Sequence, residues 1–176
     1  MNNIMISNKI HNAVNDQINA ELWSAYLYLA MAMDAEAKDL PGIANWFFVQ
    51  WLEEQDHARI FEKYLNSRGA KVILKPIAGV PHEWKNPLEM FRDTLEHEQQ
   101  VTRMINNLAG LALEEMDFAT LSRMQWFVDE QVEEEESAAK HAADFEKAGV
   151  DSAMLFRLDC MLGDRKYKKA EPLEDK

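Results

Sequence analysis

Apolar residues recur at alternating steps of three and four over four long stretches of the chain, which is the spacing of one face of an α-helix. Glycine and proline are scarce, and they cluster where this periodicity fails, at residues 41–42, at 69 and between 76 and 87. The pattern predicts α1 over residues 7–38, α2 over 42–68, α3 over 87–115 and α4 over 117–148. A short helix, α5, is predicted over residues 152–162, after a helix stop at Gly149.

The lengths of the connections predict how these helices are arranged. Only a few residues separate α1 from α2 and α3 from α4, so each pair is expected to form an antiparallel hairpin. The stretch 69–86 between α2 and α3 can extend to about 60 Å, whereas a helix of about 28 residues is roughly 42 Å long. We therefore expect an all-α fold: a four-helix bundle in which a long crossover leaves α2 and α3 parallel, with a short fifth C-terminal helix.

Composition limits the class of protein. The chain has 176 residues, of which 47% are hydrophobic, enough for one domain, expected over residues 1–163. The charged segment 164–176 is expected to be a disordered tail. The formal charge of −12 is unfavourable for binding nucleic acid or anionic lipid and attracts cations. The chain shows neither a signal peptide nor an apolar run of about 20 residues, so a cytoplasmic location is expected and no membrane partner.

Acidic residues interrupt the inward face of every long helix near its middle. They lie at similar distances from the two predicted hairpin turns, so they are expected at one level of the bundle. The interrupting residues are Glu21 on α1, Glu54 and His57 on α2, Glu98 on α3 and Glu134 on α4. Buried carboxylates repel one another, and no lysine or arginine lies near these positions on the helices. Shared protons or bound metal could neutralise them, and oxygen ligands with one imidazole favour iron or manganese, so a di-metal site is predicted.

Further polar residues lie near these positions. Glu53 borders Glu54, and Glu130 and Glu133 lie beside Glu134, so these acids either line a second ion site or form a solvated helix face. His97 is one step off the inward face of α3 and is expected at the surface. His141 has no acidic partner at ligand spacing and is also expected to be exposed.

The pattern resembles the non-haem ferritins of bacteria over residues 10–162. The resemblance rests on Glu21 with Tyr28, on residues 53–57, on Glu98 and on residues 129–134. It implies a hollow homo-oligomeric shell of twenty-four subunits that oxidises Fe(II) with dioxygen or hydrogen peroxide and stores the ferric mineral inside. In enzymatic terms, this activity is that of a ferroxidase.

The resemblance also implies roles for the acids. Glu21, Glu54 and His57 would hold a first iron, and Glu54 would bridge to a second iron held by Glu98 and Glu134.

Five further positions take their expected roles from the same resemblance. Tyr28 would lie near the first iron, and Gln131 would be a weak ligand or a hydrogen-bond neighbour of the ligands. A third iron would be bound by Glu53, Glu130 and Glu133, together with Glu134.

This sequence differs from two related families at positions that bind their haem or their additional iron. Bacterioferritins have a haem-ligating methionine where this chain has Gln55, so haem is not expected. They also repeat Glu-x-x-His in the second hairpin, where this chain reads Gln131-Val132-Glu133-Glu134. The single cysteine, Cys160, cannot supply the cysteine-ligated iron domain of rubrerythrin-like peroxidases.

Two alternatives stay open at this point. The first is a di-iron or manganese oxidase or peroxidase that forms no storage shell. The second is a non-catalytic helical scaffold whose acids only bind cations. The helix α1 is apolar around more of its circumference than one core face requires, which favours an oligomer.

Overall fold

The structure, a computed structural model, describes residues 6–174. Its elements are α1 (Asn8–Ala37), α2 (Pro41–Ser67), α3 (Pro87–Glu114), α4 (Phe118–Ala148), α5 (Ser152–Leu162) and a 3-10 turn, Glu171–Leu173. Within the described range there is no β-strand, and none of the helices has the length and apolar character of a membrane span. The all-α fold and its five helices are confirmed, with every helix end within about one residue of the predicted position.

Polar side chains fix where three of the long helices begin. Ser7, Asn86 and Asp117 each accept a hydrogen bond from the backbone N–H three residues further along, at 3.3, 2.9 and 3.1 Å respectively. A capping side chain satisfies a backbone donor that has no partner inside the helix. The first residue of both α2 and α3 is a proline, whose missing N–H is tolerated only there.

The crossover follows α1 over most of its length. Near the start of α1, Asn15 accepts a hydrogen bond from the Ile73 backbone N–H at 2.6 Å. Near the end of α1, Asp34 accepts one from the Trp84 backbone N–H at 3.1 Å. The crossover thus carries the chain back to the end of the bundle where α2 begins, so α3 starts there and runs parallel to α2, as predicted.

Two apolar clusters form the core, one toward each end of the bundle. In the first cluster the rings of Phe47 and Phe91 stack with centroids 5.1 Å apart. In the second, Phe61 and Phe127 stack at 4.1 Å. Burial of such side chains contributes most of the free energy of folding. The buried polar residues of the four long helices lie between these two clusters.

The helix α5 packs directly against the start of α2. No side chain of α2 itself caps this helix, but Asp159 of α5 accepts a hydrogen bond from the Ile43 backbone N–H at 2.8 Å. A carboxylate at a helix N-terminus also interacts favourably with the helix dipole. Gly42 permits the contact, because a Cβ at this position would lie 1.7 Å from the Asp159 carbonyl oxygen.

The segment after α5 packs along α2, which differs from the disordered tail expected from its charge. Asp56 of α2 accepts hydrogen bonds from the Tyr167 hydroxyl at 2.8 Å and from the Ala170 backbone N–H at 2.9 Å. Leu173 is buried in the second apolar cluster. Tail side chains therefore find acidic and apolar partners on the helices, while residues 175–176 of the expected tail lie outside the described residues.

We expect Gly42→Ala to destabilise the protein by about 1–3 kcal/mol, because the added methyl group forces α5 away from α2 and weakens the Asp159 cap. Urea denaturation, with protease cleavage within α5 as a second readout, measures the effect. The control is Gly110→Ala in the last two turns of α3, where no atom lies within 4 Å of an added Cβ. That variant should gain about 1 kcal/mol from helix propensity; equal effects of the two substitutions would contradict the proposed contact.

Candidate metal centre

Three predicted ligands meet in the N-terminal hairpin. Glu21 lies on α1, and Glu54 and His57 lie one turn apart on α2, so all three face the interior between the helices. Their possible ligand atoms lie within 4.8 Å of one another. Each residue is no more than 2% exposed. The spacing and the burial are those of a site that can hold a cation.

Glu21 has one satisfied and one unsatisfied oxygen. Gln17, one turn earlier on α1, donates a hydrogen bond to Oε1 at 2.8 Å. The other oxygen, Oε2, is buried and has no hydrogen-bond partner among the described residues. Leaving a buried acceptor unpaired costs about 1–3 kcal/mol, and more when the group is charged. The carboxyl group of Glu21 belongs to the group formed with Glu54 and His57, where a cation would satisfy the unpaired oxygen.

The second hairpin contributes Glu98 and Glu134. The Tyr28 hydroxyl donates to Oε1 of Glu98, and the Gln131 amide donates to Oε2 of Glu98 at 3.1 Å. The Gln50 amide donates to Oε2 of Glu134 at 2.8 Å. Each carboxylate is therefore held by a neutral donor from another helix, which fixes its orientation without cancelling its charge.

His57 connects the two hairpins. Its ring belongs to a second group in which possible ligand atoms of His57, Glu130 and Glu134 lie within 4.8 Å of one another. Glu130 is half-buried, and the other two members are buried. One imidazole thus stands between an acid pair from the first hairpin and an acid pair from the second.

Burial and mutual repulsion perturb the acids of this layer. Burial raises the pKa of Glu21, Glu54 and Glu134 well above the usual range of a carboxyl group. Repulsion from Glu54 adds to the increase in the pKa of Glu21, and repulsion from Glu98 adds to those of Glu54 and Glu134. These carboxyl groups are therefore inclined to keep protons until a cation replaces them.

Tyr28 lies in the same layer and is fully buried. Burial, reinforced by the charge of Glu98, raises the pKa of its hydroxyl well above its usual value, so the group stays protonated and acts as a donor. Its partner is a predicted ligand of the second iron, whereas the sequence-based expectation put Tyr28 beside the first.

The acids predicted to form a third iron site are not brought together as a set. Glu130 and Glu134 join one group of possible ligands with His57, whereas Glu133 is exposed and Glu53 forms an ion pair with Arg165. No lysine or arginine lies near the acids on the long helices, but Arg165 reaches this layer from outside them and donates to Gln50, the partner of Glu134, at 2.8 Å. Arg165 lies in the segment after α5, outside the five α-helices.

Two histidines expected at the surface are largely covered. The His97 ring nitrogen Nε2 lies 2.8 Å from the Ser24 hydroxyl oxygen, and its ring is 5.3 Å from that of Trp23. The His141 ring lies 5.4 Å from that of Trp46. Burial lowers the pKa of both imidazoles, that of His141 to about 4. Both rings pack as neutral aromatic groups, and neither belongs to the two groups of possible ligands.

Two antiparallel hairpins, a long crossover and carboxylates directed inward from all four helices define the class of ferritin-like carboxylate bundles. The chain belongs to the ferritin family: the family model described as a ferritin-like domain matches residues 11–148.

Individual relatives cover nearly the whole chain. A bacterial non-heme ferritin of Staphylococcus aureus (strain USA300) is 37% identical over 163 residues, which is 93% of this chain and 98% of the relative. A bacterial non-heme ferritin of Bacteroides fragilis (strain 638R) is 40% identical over 161 residues, 92% of this chain and all of the relative. The crystal structure of an open pore ferritin from Archaeoglobus fulgidus superposes with a TM-score of 0.91 at 43% identity, covering 92% of this chain and 99% of that one.

We expect Glu21→Gln to stabilise the metal-free protein, and to do so more at pH 8 than at pH 5. The raised pKa of Glu21 means that the wild-type loses stability as the pH rises from the unfolded pKa toward the folded one, and a neutral amide removes that loss. Urea denaturation after chelation, at both pH values, measures the difference. The control Glu36→Gln changes an exposed acid on the same helix and should show no such pH dependence; a pH-independent effect of Glu21→Gln would contradict the interpretation.

Proposed function

We propose that the chain is a ferroxidase subunit of an iron store. It takes up Fe(II), oxidises it to Fe(III) with dioxygen or hydrogen peroxide between its four long helices, and stores the ferric product inside a hollow shell of twenty-four copies. The observation that carries the proposal is the buried layer of four carboxylates and one imidazole. No lysine or arginine of residues 6–174 forms an ion pair with any of these four acids. Multivalent cations are the partners that such a layer favours.

In this proposal, Glu21, Glu54 and His57 bind the first Fe(II), and Glu54 also contacts a second Fe(II) bound by Glu98 and Glu134. The close grouping of the first three residues and the unsatisfied oxygen of Glu21 support the first assignment. The repulsion that Glu98 exerts on Glu54 and Glu134 supports the second, because a cation among the three would turn repulsion into attraction.

Carboxylate ligands favour the oxidation because they stabilise the more highly charged Fe(III) over Fe(II). Each of two Fe(II) ions gives up one electron. The pair of electrons reduces dioxygen to hydrogen peroxide, with two protons taken up, or reduces hydrogen peroxide to water. Protons retained by Glu21, Glu54 and Glu134 leave when the cations bind. The two histidines of the second hairpin, His97 and His141, belong to neither group of possible ligands, which favours weak retention of Fe(III) there and its transfer to the mineral.

Neighbouring groups orient the ligands. The Tyr28 hydroxyl and the Gln131 amide hold the two oxygens of Glu98, and the amide of Gln50 holds Glu134. Gln131 serves as a hydrogen-bond neighbour in this arrangement. We expect no haem, because Gln55 uses its amide to donate to the Trp51 carbonyl oxygen at 2.9 Å and offers no sulfur or imidazole ligand.

A surface of the subunit supports assembly into a shell. Tyr26 and Met33 of α1 and Phe48 of α2 are 50%, 52% and 42% exposed respectively. The side chains lie on the faces of the first hairpin that turn away from the core. Large apolar side chains grouped in this way are typical of surfaces that other subunits cover.

We expect Glu98→Gln to lower the initial rate of aerobic Fe(II) oxidation about 10-fold or more, because the amide removes a negative ligand while leaving the shape of the side chain unchanged. The matched control is Glu96→Gln, the same change on an exposed position of the same helix, which should oxidise Fe(II) like the wild-type. The formation of ferric absorbance after mixing measures both rates. Equal rates for Glu98→Gln and the control would exclude the proposed centre, and would favour a scaffold that only binds cations.

Native mass separates storage from an oxidase or peroxidase that forms no shell. We expect the metal-free protein to have a mass of about twenty-four times the 20.4 kDa subunit, and the same particle to gain mass during aerobic Fe(II) addition. Fe(II) oxidation by a species near the subunit mass would favour the non-storage alternative.

A further inference from the structure

Arg165 contacts one of the acids that were predicted to bind a third iron. Its Nη2 contacts the Oε2 of Glu53, one of the acids that the resemblance assigns to that site. Its Nη1 donates to Oε1 of Gln50 at 2.8 Å and to the Trp46 carbonyl oxygen at 3.3 Å. The guanidinium carbon lies 4.5 Å from the centroid of the Trp46 ring. The positive charge is therefore fixed by an acid, two neutral acceptors and an aromatic face.

The backbone at Arg165 is also held in place. Asn45, in the second turn of α2, donates its side-chain amide to the carbonyl oxygens of Leu162, Gly163 and Arg165, the last at 3.0 Å. The same amide thus satisfies the end of α5 and the start of the tail. The helix α5 is itself held against α2 by the contact at Gly42. Arg165, which follows α5 directly, is therefore attached to a part of the chain that is fixed in place.

Gln50 connects the guanidinium to the metal centre. Its side-chain oxygen accepts from Arg165, which turns its amide nitrogen toward Oε2 of Glu134 at 2.8 Å. An amide has one accepting and one donating end, so the arginine selects the orientation in which Glu134 receives a hydrogen bond. Without Arg165, Gln50 could turn over and present its oxygen to the carboxylate.

We propose that the Arg165 guanidinium takes the place of a third metal ion, so that each subunit binds one fewer cation than its inward acids could hold. Glu53 is neutralised by the side chain, Glu133 is directed to solvent, and Glu130 is left with His57 and Glu134. Because a guanidinium stays charged at every physiological pH, this exclusion does not depend on pH. The inference rests on the proposed function only in requiring that the neighbouring acids bind metal.

The test is the number of Zn(II) ions bound per subunit, measured on the intact oligomer by isothermal titration calorimetry and elemental analysis. Zn(II) does not change oxidation state, so the count does not depend on ferroxidase activity. We expect Arg165→Ala to bind one more Zn(II) per subunit than the wild-type, because Glu53 and Glu130 are then free to act as ligands. The double variant Arg165→Ala/Glu53→Gln should return to the wild-type count.

The control is Lys168→Ala, which removes one positive charge from an exposed position of the same tail and should not change the count. Arg165→Gln keeps a polar side chain and serves as a second variant if the alanine variant does not assemble; it should also gain one ion. An unchanged count in a folded Arg165 variant overturns the inference. A wild-type that binds no Zn(II) and oxidises no Fe(II) contradicts the proposed function, which is a different result.

Hydrogen exchange of residues 164–174 gives a second readout. In the wild-type, saturating Zn(II) should leave exchange in this segment unchanged, because the metal ions do not compete with Arg165. Faster exchange of the segment on adding Zn(II) would show that a metal ion displaces the guanidinium, and would also overturn the inference.

Discussion

Several ionised carboxylates cannot remain close together in a water-poor interior without a compensating positive charge, and the architecture of this subunit is organised around that constraint. The neutral donors that surround the layer, Gln17, Gln50, Gln131 and Tyr28, satisfy individual oxygens but leave the charge uncancelled. One buried oxygen of Glu21 has no hydrogen-bond partner among the described residues. The protein therefore holds an electrostatic imbalance that only protons or cations from outside the chain can relieve.

The two apolar clusters hold the four long helices in position against the repulsion between the acids. Each cluster contains stacked aromatic rings from facing hairpins, so the helices are fixed above and below the polar layer. The crossover adds hydrogen bonds along α1 at both ends of the bundle. Stability gained in the apolar ends thus offsets the unfavourable burial of the acids in the middle, and the carboxylates keep their positions in the absence of metal.

The helices, their ends and the convergence of the main acids could be predicted from the sequence because they depend on local signals. Periodicity, proline, glycine and capping residues act within a few positions, and connection lengths limit the topology. The contacts of Arg165 and the burial of His97 and His141 could not be predicted in this way. They depend on long-range packing, in which a tail with no helical periodicity meets α2 and a ring beside the inward face meets a neighbouring helix. The packing of the tail likewise depends on the acids that it contacts, Glu53 and Asp56, which its own charge does not reveal.

The two groups of possible ligands differ in how far along the chain their members lie. Glu21, Glu54 and His57 all belong to the first hairpin, which is complete once residue 67 has left the ribosome. The group of His57, Glu130 and Glu134 exists only after α4 has docked on that hairpin. During synthesis, therefore, one half of the centre can form from local contacts while the other waits for a long-range step. The order of the chain separates in time two halves that are adjacent in the finished subunit.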